Sequence, residues 1–290
     1  MTPMHDMHCH LGFMVNGEEV ATDARAADTL LFANTVTPTE WLDARERYSR
    51  FDNVAIGFGM HPWWVLGGNA AETADDESAK SQRERRREAQ QRALAHAKHA
   101  SEEAEAEAQR NKVIALLDEH DPILIGEVGL DFGWNHVSSR SEQLAMFSAI
   151  ASWAAKREGK LLSIHAVKAS QEAFDILRQT GALESCTCVF HWFTGPSDLL
   201  KLAVQAGCYF SCGPRMLATG KGREYVKAIP ADQLLLETDA PPRQGMLYSY
   251  SDLRSELERV ATSVVSLKGE SILQTIARTS ESVLSSAIAR

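Results

Sequence analysis

His8 and His10 stand two residues apart at the end of a short apolar run, residues 4–9. Alternate side chains of a strand share a face, so both imidazoles project the same way. Two neutral imidazole nitrogens a few ångströms apart make a clamp for zinc or another first-row metal. Histidines at this spacing also cap strands without binding anything. The pair gains meaning only from what else reaches it. Further candidate ligands fall at the ends of similar runs: Glu127 in Ile-Gly-Glu-Val-Gly-Leu-Asp (125–131), His165 after Leu-Ser-Ile, His191 after Val-Phe, and Asp239 in Leu-Glu-Thr-Asp (236–239). His61 follows another, in Gly-Met-His-Pro (59–62). Mixed imidazole and carboxylate donors suit one or two divalent metals, with a carboxylate able to bridge.

Such a set works only if the elements bring it together. Eight short apolar runs recur, at residues 4–9, 30–35, 54–59, 123–127, 161–165, 188–191, 208–211 and 234–237, each fit for a strand buried on both faces. Segments of helical periodicity separate them, as at 141–158 and 171–180, and residues 252–289 read as one or two closing helices. Eight strands alternating with helices predict an α/β fold, a (β/α)8 TIM barrel, ahead of a doubly wound sheet. In a barrel the strand C-termini converge on one mouth, where active sites form. The candidate ligands arrive there from different strands, except for the first pair. His5, His96, His99, His120 and His136 lack this placement.

The chain of 290 residues reads as one barrel domain, with residues 70–111 inserted between strands 3 and 4. The insertion is rich in Ala, Glu, Arg and Gln and nearly devoid of large apolar residues, which predicts a solvated long helix or helical hairpin. Its basic run Arg83–Arg87 could grip phosphate, although a solvated face is the commoner use of such a run. The net charge of −9 repels a polyanion at long range, so nucleic acid would be bound locally with metal assistance. That argues against a protein that coats DNA. Five cysteines (Cys9, Cys186, Cys188, Cys208, Cys212) are an odd number, so a disulfide scaffold is not expected. The last four could form a zinc site, but their apolar surroundings favour core packing. No apolar run is long enough for a membrane span and no secretory leader opens the chain, so the expected location is the cytoplasm.

Several ordered pieces resemble the TatD family of metal-dependent hydrolases in the amidohydrolase superfamily: Asp-Met-His-Cys-His-Leu (6–11), Gly-Met-His-Pro (59–62), Gly-Glu-Val-Gly-Leu-Asp-Phe (126–132), Ile164-His165, His-Trp-Phe-Thr-Gly (191–195) and Glu-Thr-Asp-Ala-Pro (237–241). The resemblance implies a binuclear centre. His8, His10, Glu127 and Asp239 would hold one divalent ion (Zn, Mg, Mn or similar), and Glu127, His165 and His191 the second. It implies hydrolysis of nucleic acid or a small phosphodiester, with deoxyribonuclease activity of 3′-to-5′ character. Asp239 would be catalytic, taking a proton from water and passing it to the leaving oxygen. His61 would touch substrate phosphate or steady a ligand. Three departures lie outside the ligands: Ala166-Val167-Lys168 after His165, Gln233 where an arginine is common, and no Asn-Glu-Pro within 243–250. They are expected at phosphate-contacting or rim positions. The competing readings are amide or lactone hydrolysis, for which two-metal relatives often place a carboxylated lysine where this chain has Glu127, and a non-catalytic scaffold.

Overall fold

A computed structural model describes residues 3–66, 82–133, 140–157 and 159–288, with side chains described outside 82–100 and 286–288. Its centre is eight parallel strands: β1 (Asp6–Cys9), β2 (Leu31–Asn34), β3 (Val54–Met60), β4 (Leu124–Asp131), β5 (Leu161–Val167), β6 (Thr187–His191), β7 (Tyr209–Cys212) and β8 (Leu234–Leu236). Each pairs with the next in chain order. Helices follow the strands and cover the outside, giving the expected (β/α)8 barrel. Helix α1 (Gly17–Ala26) follows β1 and α2 (Pro38–Tyr48) follows β2.

The strand residues read as continuous apolar runs because both of their faces are buried. One face meets the helices. The other fills the barrel: Met7, Phe32, Ala55, Leu124, Leu161, Val189 and Leu235, from seven strands, form one buried cluster, with Tyr209 of β7 packed against it. Only the barrel interior can gather a side chain from every strand. Val283 and Leu284 of the last helix, α11 (Ile272–Ile288), join this cluster and seal the N-terminal end. Above that layer the interior turns polar, with His8, Asn34, Glu127, Ser163, His191, Ser211 and Glu237 all buried.

Two strands carry an extra residue beside the ligands. From Ile125 to Val128, β4 advances three residues while β3 (Phe58 to Met60) and β5 (Leu162 to Ile164) advance two. From Asp6 to Cys9, β1 advances three against two in β2 (Leu31 to Ala33). Bulges of this kind re-aim side chains next to active sites. The β4 bulge needs Gly126, where a Cβ would fall 2.7 Å from Ser163 Cβ and 2.2 Å from Asn34 Oδ1. No strand pairing joins β8 to β1 among the described residues. The seam is closed just beyond the strands, where Asp239 N donates to His8 O at 2.9 Å and His10 N to Ala240 O at 2.8 Å.

Helix α3 (Gln82–His120) is continuous over 39 residues and ends nine residues beyond the expected boundary at Asn111. Ala106, Val113 and Leu117 are buried, so its C-terminal turns serve as the ordinary crossover helix between β3 and β4. Residues 70–81 of the expected insertion and the side chains of Arg83–Arg87 lie outside the described residues. All five cysteines are free; Cys9, Cys188, Cys208 and Cys212 are buried, as core packing requires. Among the described residues no helix is long and apolar enough to cross a membrane.

Candidate metal centre

Glu127 leaves the β4 bulge into the middle of the mouth, and the sequence-selected histidines surround it. Its Oε2 lies 3.4 Å from Nε2 of both His8 and His10. Its Oε1 lies 2.6 Å from His165 Nδ1, 3.5 Å from His191 Nε2 and 3.6 Å from His61 Nε2. Asp239 completes the ring, with Oδ1 3.4 Å from His10 Nε2 and 4.0 Å from His8 Nε2. It holds φ 58°, a left-handed turn tolerated by Asp, directly after the last strand. Every residue selected from the sequence is therefore in one place. Its neighbour relations cross the implied division, since His191 groups with His8 and Asp239, and His61 with Glu127 and His165.

The groups behind the imidazoles set which nitrogen faces inward. His10 Nδ1 donates to Asn34 O at 3.0 Å, so in the neutral ring the lone pair lies on Nε2, the nitrogen a metal ion would take. His191 Nδ1 sits 3.1 Å from Glu237 Oε2, and Ser211 donates to the same carboxylate, so this ring also turns a bare Nε2 inward. His8 Nδ1 meets Ser163 Oγ at 3.0 Å, and its buried Nε2 has no hydrogen-bond partner among the described residues. His61 differs. Its Nδ1 accepts from Trp63 N at 3.1 Å, so Nε2 carries the proton and points a donor at Glu127. His165 spans two carboxylates, Glu127 through Nδ1 and Asp131 Oδ2 through Nε2 at 3.3 Å. Asp131 also accepts from Trp63 Nε1 at 2.6 Å and Gly133 N at 2.7 Å.

Electrostatics follow this packing. Burial would raise the Glu127 carboxyl, but the imidazoles of His61, His8 and His165 hold it well below the usual range. Burial likewise opposes ionisation of Asp239, and the hydrogen bond to His10 with the charge of His191 outweighs it downward. Burial lowers His8 and, more strongly, His61, keeping both neutral. His10 and His165 lie against carboxylates that overcome burial and lift each to about 9. Four imidazoles and two carboxylates, with a buried orphan nitrogen on His8, fit a divalent metal centre in donor type and in unmet need.

The mouth is a cavity of about 350 Å³ lined by the candidate ligands other than the fully buried His8, and by Trp63, Trp64, Trp192, Arg215 and Arg243. Arg215 Nη1 lies 3.4 Å from Asp239 Oδ2. The family model for TatD related DNases matches residues 5–285. The chain belongs to the TatD family. Curated TatD relatives include the "Uncharacterized metal-dependent hydrolase TatD" of Mycobacterium tuberculosis, 32% identical over 50% of this chain and 58% of that protein. The "3'-5' ssDNA/RNA exonuclease TatD" of Salmonella typhimurium is 31% identical over 46% of this chain and 52% of its own. The chain thus spans about half the length of the curated relatives it matches. Among solved structures, a TatD family hydrolase from Entamoeba histolytica superposes with a TM-score of 0.69 at 14% identity, covering 97% of both chains, which establishes the shared barrel.

Three residues behind the TatD centre were not assigned a role from sequence. Asp6 is buried and accepts from Thr238 N at 3.0 Å, Thr238 Oγ1 at 2.5 Å and His8 N at 3.2 Å, tying both ends of the barrel to the ligands. Glu237 orients His191, and Ser163 backs His8. Each is a polar residue in an apolar run, and Asp6 and Glu237 also stand in the pieces that carry the family resemblance. Gln233, expected near phosphate or the rim, lies at the start of β8, away from the mouth. Its Nε2 donates to the Val204 and Cys208 carbonyls.

Proposed function

We propose that the chain is a divalent-metal-dependent phosphodiesterase acting on nucleic acid. The observation that carries this is the placement of Glu127, whose two oxygens face separate sets of imidazoles as a bridging carboxylate between two ions would. His8, His10 and Asp239 would hold one ion with Glu127, and His165 and His191 the other. Ions bound there would acidify coordinated water and neutralise charge on phosphoryl oxygens. The residues do the rest. Asp239 is the most exposed carboxylate of the set, with one oxygen toward His10 and the other toward the open mouth beside Arg215. That oxygen can take the proton of the attacking water and return it to the leaving oxygen. His61 presents an N–H to a phosphoryl oxygen at the position its Nε2 now offers Glu127. Arg215 supplies a second donor from the opposite wall.

A metal-by-substrate screen tests this reading. Protein purified without chelator is expected to carry at least one divalent ion per chain, and two if Glu127 bridges. It should cleave single-stranded DNA, RNA or a simple phosphodiester in preference to carboxylate esters. Glu127→Ala should abolish both metal retention and cleavage. Full cleavage by that variant, or carboxylate esters as the sole substrates, would overturn the assignment.

A further inference from the structure

Helix α3 outruns the wall it belongs to. Its last turn leads into β4, so it descends from the mouth toward the N-terminal end of the barrel. Gln109 marks the rim, donating to Trp64 O at 2.8 Å and accepting from Leu66 N at 3.0 Å. Among the described side chains of α3, burial stops at Ala106. Residues 82–105 add about 36 Å of helix on the mouth side of that contact. Charge along this arm is segregated. Residues 83–92 hold five arginines against two glutamates, and residues 101–107 hold four glutamates and no cation. Like charges therefore recur at three- and four-residue spacings, Arg83 with Arg86 and Arg87, and Glu103 with Glu107. Such pairs destabilise an isolated helix. The arginines also crowd the N-terminal turns, where the helix dipole is already positive. The helix is continuous, so Arg85 and Glu105 stand about 30 Å apart and cannot meet within one chain.

We propose that this arm pairs with the arm of a second copy of the chain, antiparallel, about a two-fold axis near Ala95. That register sets Arg83 opposite Glu107 of the partner subunit and Arg85 opposite Glu105 of the partner subunit, and the symmetry repeats both pairs. A polyanion drawn to the arginines would be repelled by the glutamates further along. A reversed copy satisfies both blocks, and it brings acidic residues to the positive end of each helix dipole. The sequence also leaves a path for the partner. Alanine recurs at 89, 93, 97, 100, 104 and 108, a repeat of eleven residues that keeps one stripe nearly straight along a helix. Its described members Ala104 and Ala108 are exposed, on the far side of the helix from the buried Ala106. A second arm lying there displaces nothing of the barrel, and alanine lets two helix axes approach closely. The contact is isologous and closes at two copies. Because each arm rises from the mouth side, the two mouths face one another about 40 Å apart.

Sedimentation equilibrium of the full chain tests the pairing. Wild-type protein is expected to be dimeric at about 0.05 M salt and to dissociate toward about 1 M, where the screening length falls to about 3 Å. The variants Arg83→Glu/Arg85→Glu and Glu105→Arg/Glu107→Arg should each be monomeric at low salt. An equimolar mixture of the two should dimerise again, because each then offers the charge the other lacks. That rescue separates lost pairing from lost folding. Orientation is read by oxidative cross-linking. A mixture of Arg85→Cys and Glu105→Cys should link above the wild-type background, while Glu105→Cys alone should not, its two copies lying about 30 Å apart. Wild-type protein that stays monomeric at low salt, reversed variants that fail to rescue one another, or cross-linking by Glu105→Cys alone would each overturn the proposal. None of these readouts depends on hydrolysis, so the pairing and the phosphodiesterase reading stand or fall separately.

Discussion

Three imidazoles in the mouth, those of His10, His191 and His61, are told which nitrogen to present by the group behind them. A carbonyl behind His10 and a carboxylate behind His191 can only accept, so both rings donate backward and, when neutral, turn a lone pair forward. The backbone N–H behind His61 imposes the reverse. Glu237→Gln therefore replaces a group that only accepts with one that can also donate to His191. Metal affinity is expected to fall by about 10- to 100-fold, the usual effect of removing such a partner, with the fold retained. Metal titration against a chelating dye checks this, and unchanged affinity would deny Glu237 its orienting role. The candidate ligands were conspicuous in the sequence as histidines and acids at the ends of apolar runs. The orienting residues were not. Asp6 and Thr238 are separated by 232 positions, and only the closed barrel shows that they touch.

The elements were legible as runs, and their ends were not. Strand β4 continues to Asp131 and β5 to Val167, beyond Glu127 and His165, where the apolar runs end. In β4 the cause is the bulge, which turns Glu127 into the mouth while the strand carries on and stays paired with β5 through Asp131 and Val167. Gly126→Ala would drive a methyl group into Asn34 and Ser163. Overpacking of this kind costs about 1–3 kcal/mol. A lower melting temperature and reduced metal content together are expected, and a variant with normal metal content would show that the bulge tolerates a side chain. Helix α3 teaches a similar lesson. Charge-rich composition hid the fact that its last turns are ordinary barrel wall, because Ala106, Val113 and Leu117 are too sparse to stand out. Replacing residues 70–100 with a linker of about five Gly and Ser residues should preserve folding and cleavage of a small phosphodiester. Extending the deletion to residue 111 removes the buried Ala106 and Gln109, which bonds the loop after β3 at Trp64 O and Leu66 N, and should lower the melting temperature. Equal behaviour of the two deletions would refute this division of the helix.

For the molecule as a whole, the charged centre links stability to pH once metal is removed. His10 and His165 are lifted to about 9 from an ordinary 6.5. A raised folded value means that the protonated form favours the fold, so the contribution is complete below 6.5 and vanishes as pH rises through 9. Asp6, pushed by burial to about 7 from an ordinary 3.8, acts in the same sense. Chelated protein should therefore melt at progressively lower temperature from pH 6.5 to 9. Metal-loaded protein should show a shallower slope, because an ion holds its histidines neutral throughout. Parallel slopes in a thermal-shift series would show that these groups do not couple to the fold. The seam between β8 and β1 has a wider meaning. Its bonds run through Asp6, His8, His10, Thr238 and Asp239, the same short stretches that supply half of the centre. His8, His10 and Asp239 face one another only where the two ends of the chain meet, so the half of the centre they supply depends on the joint between β8 and β1.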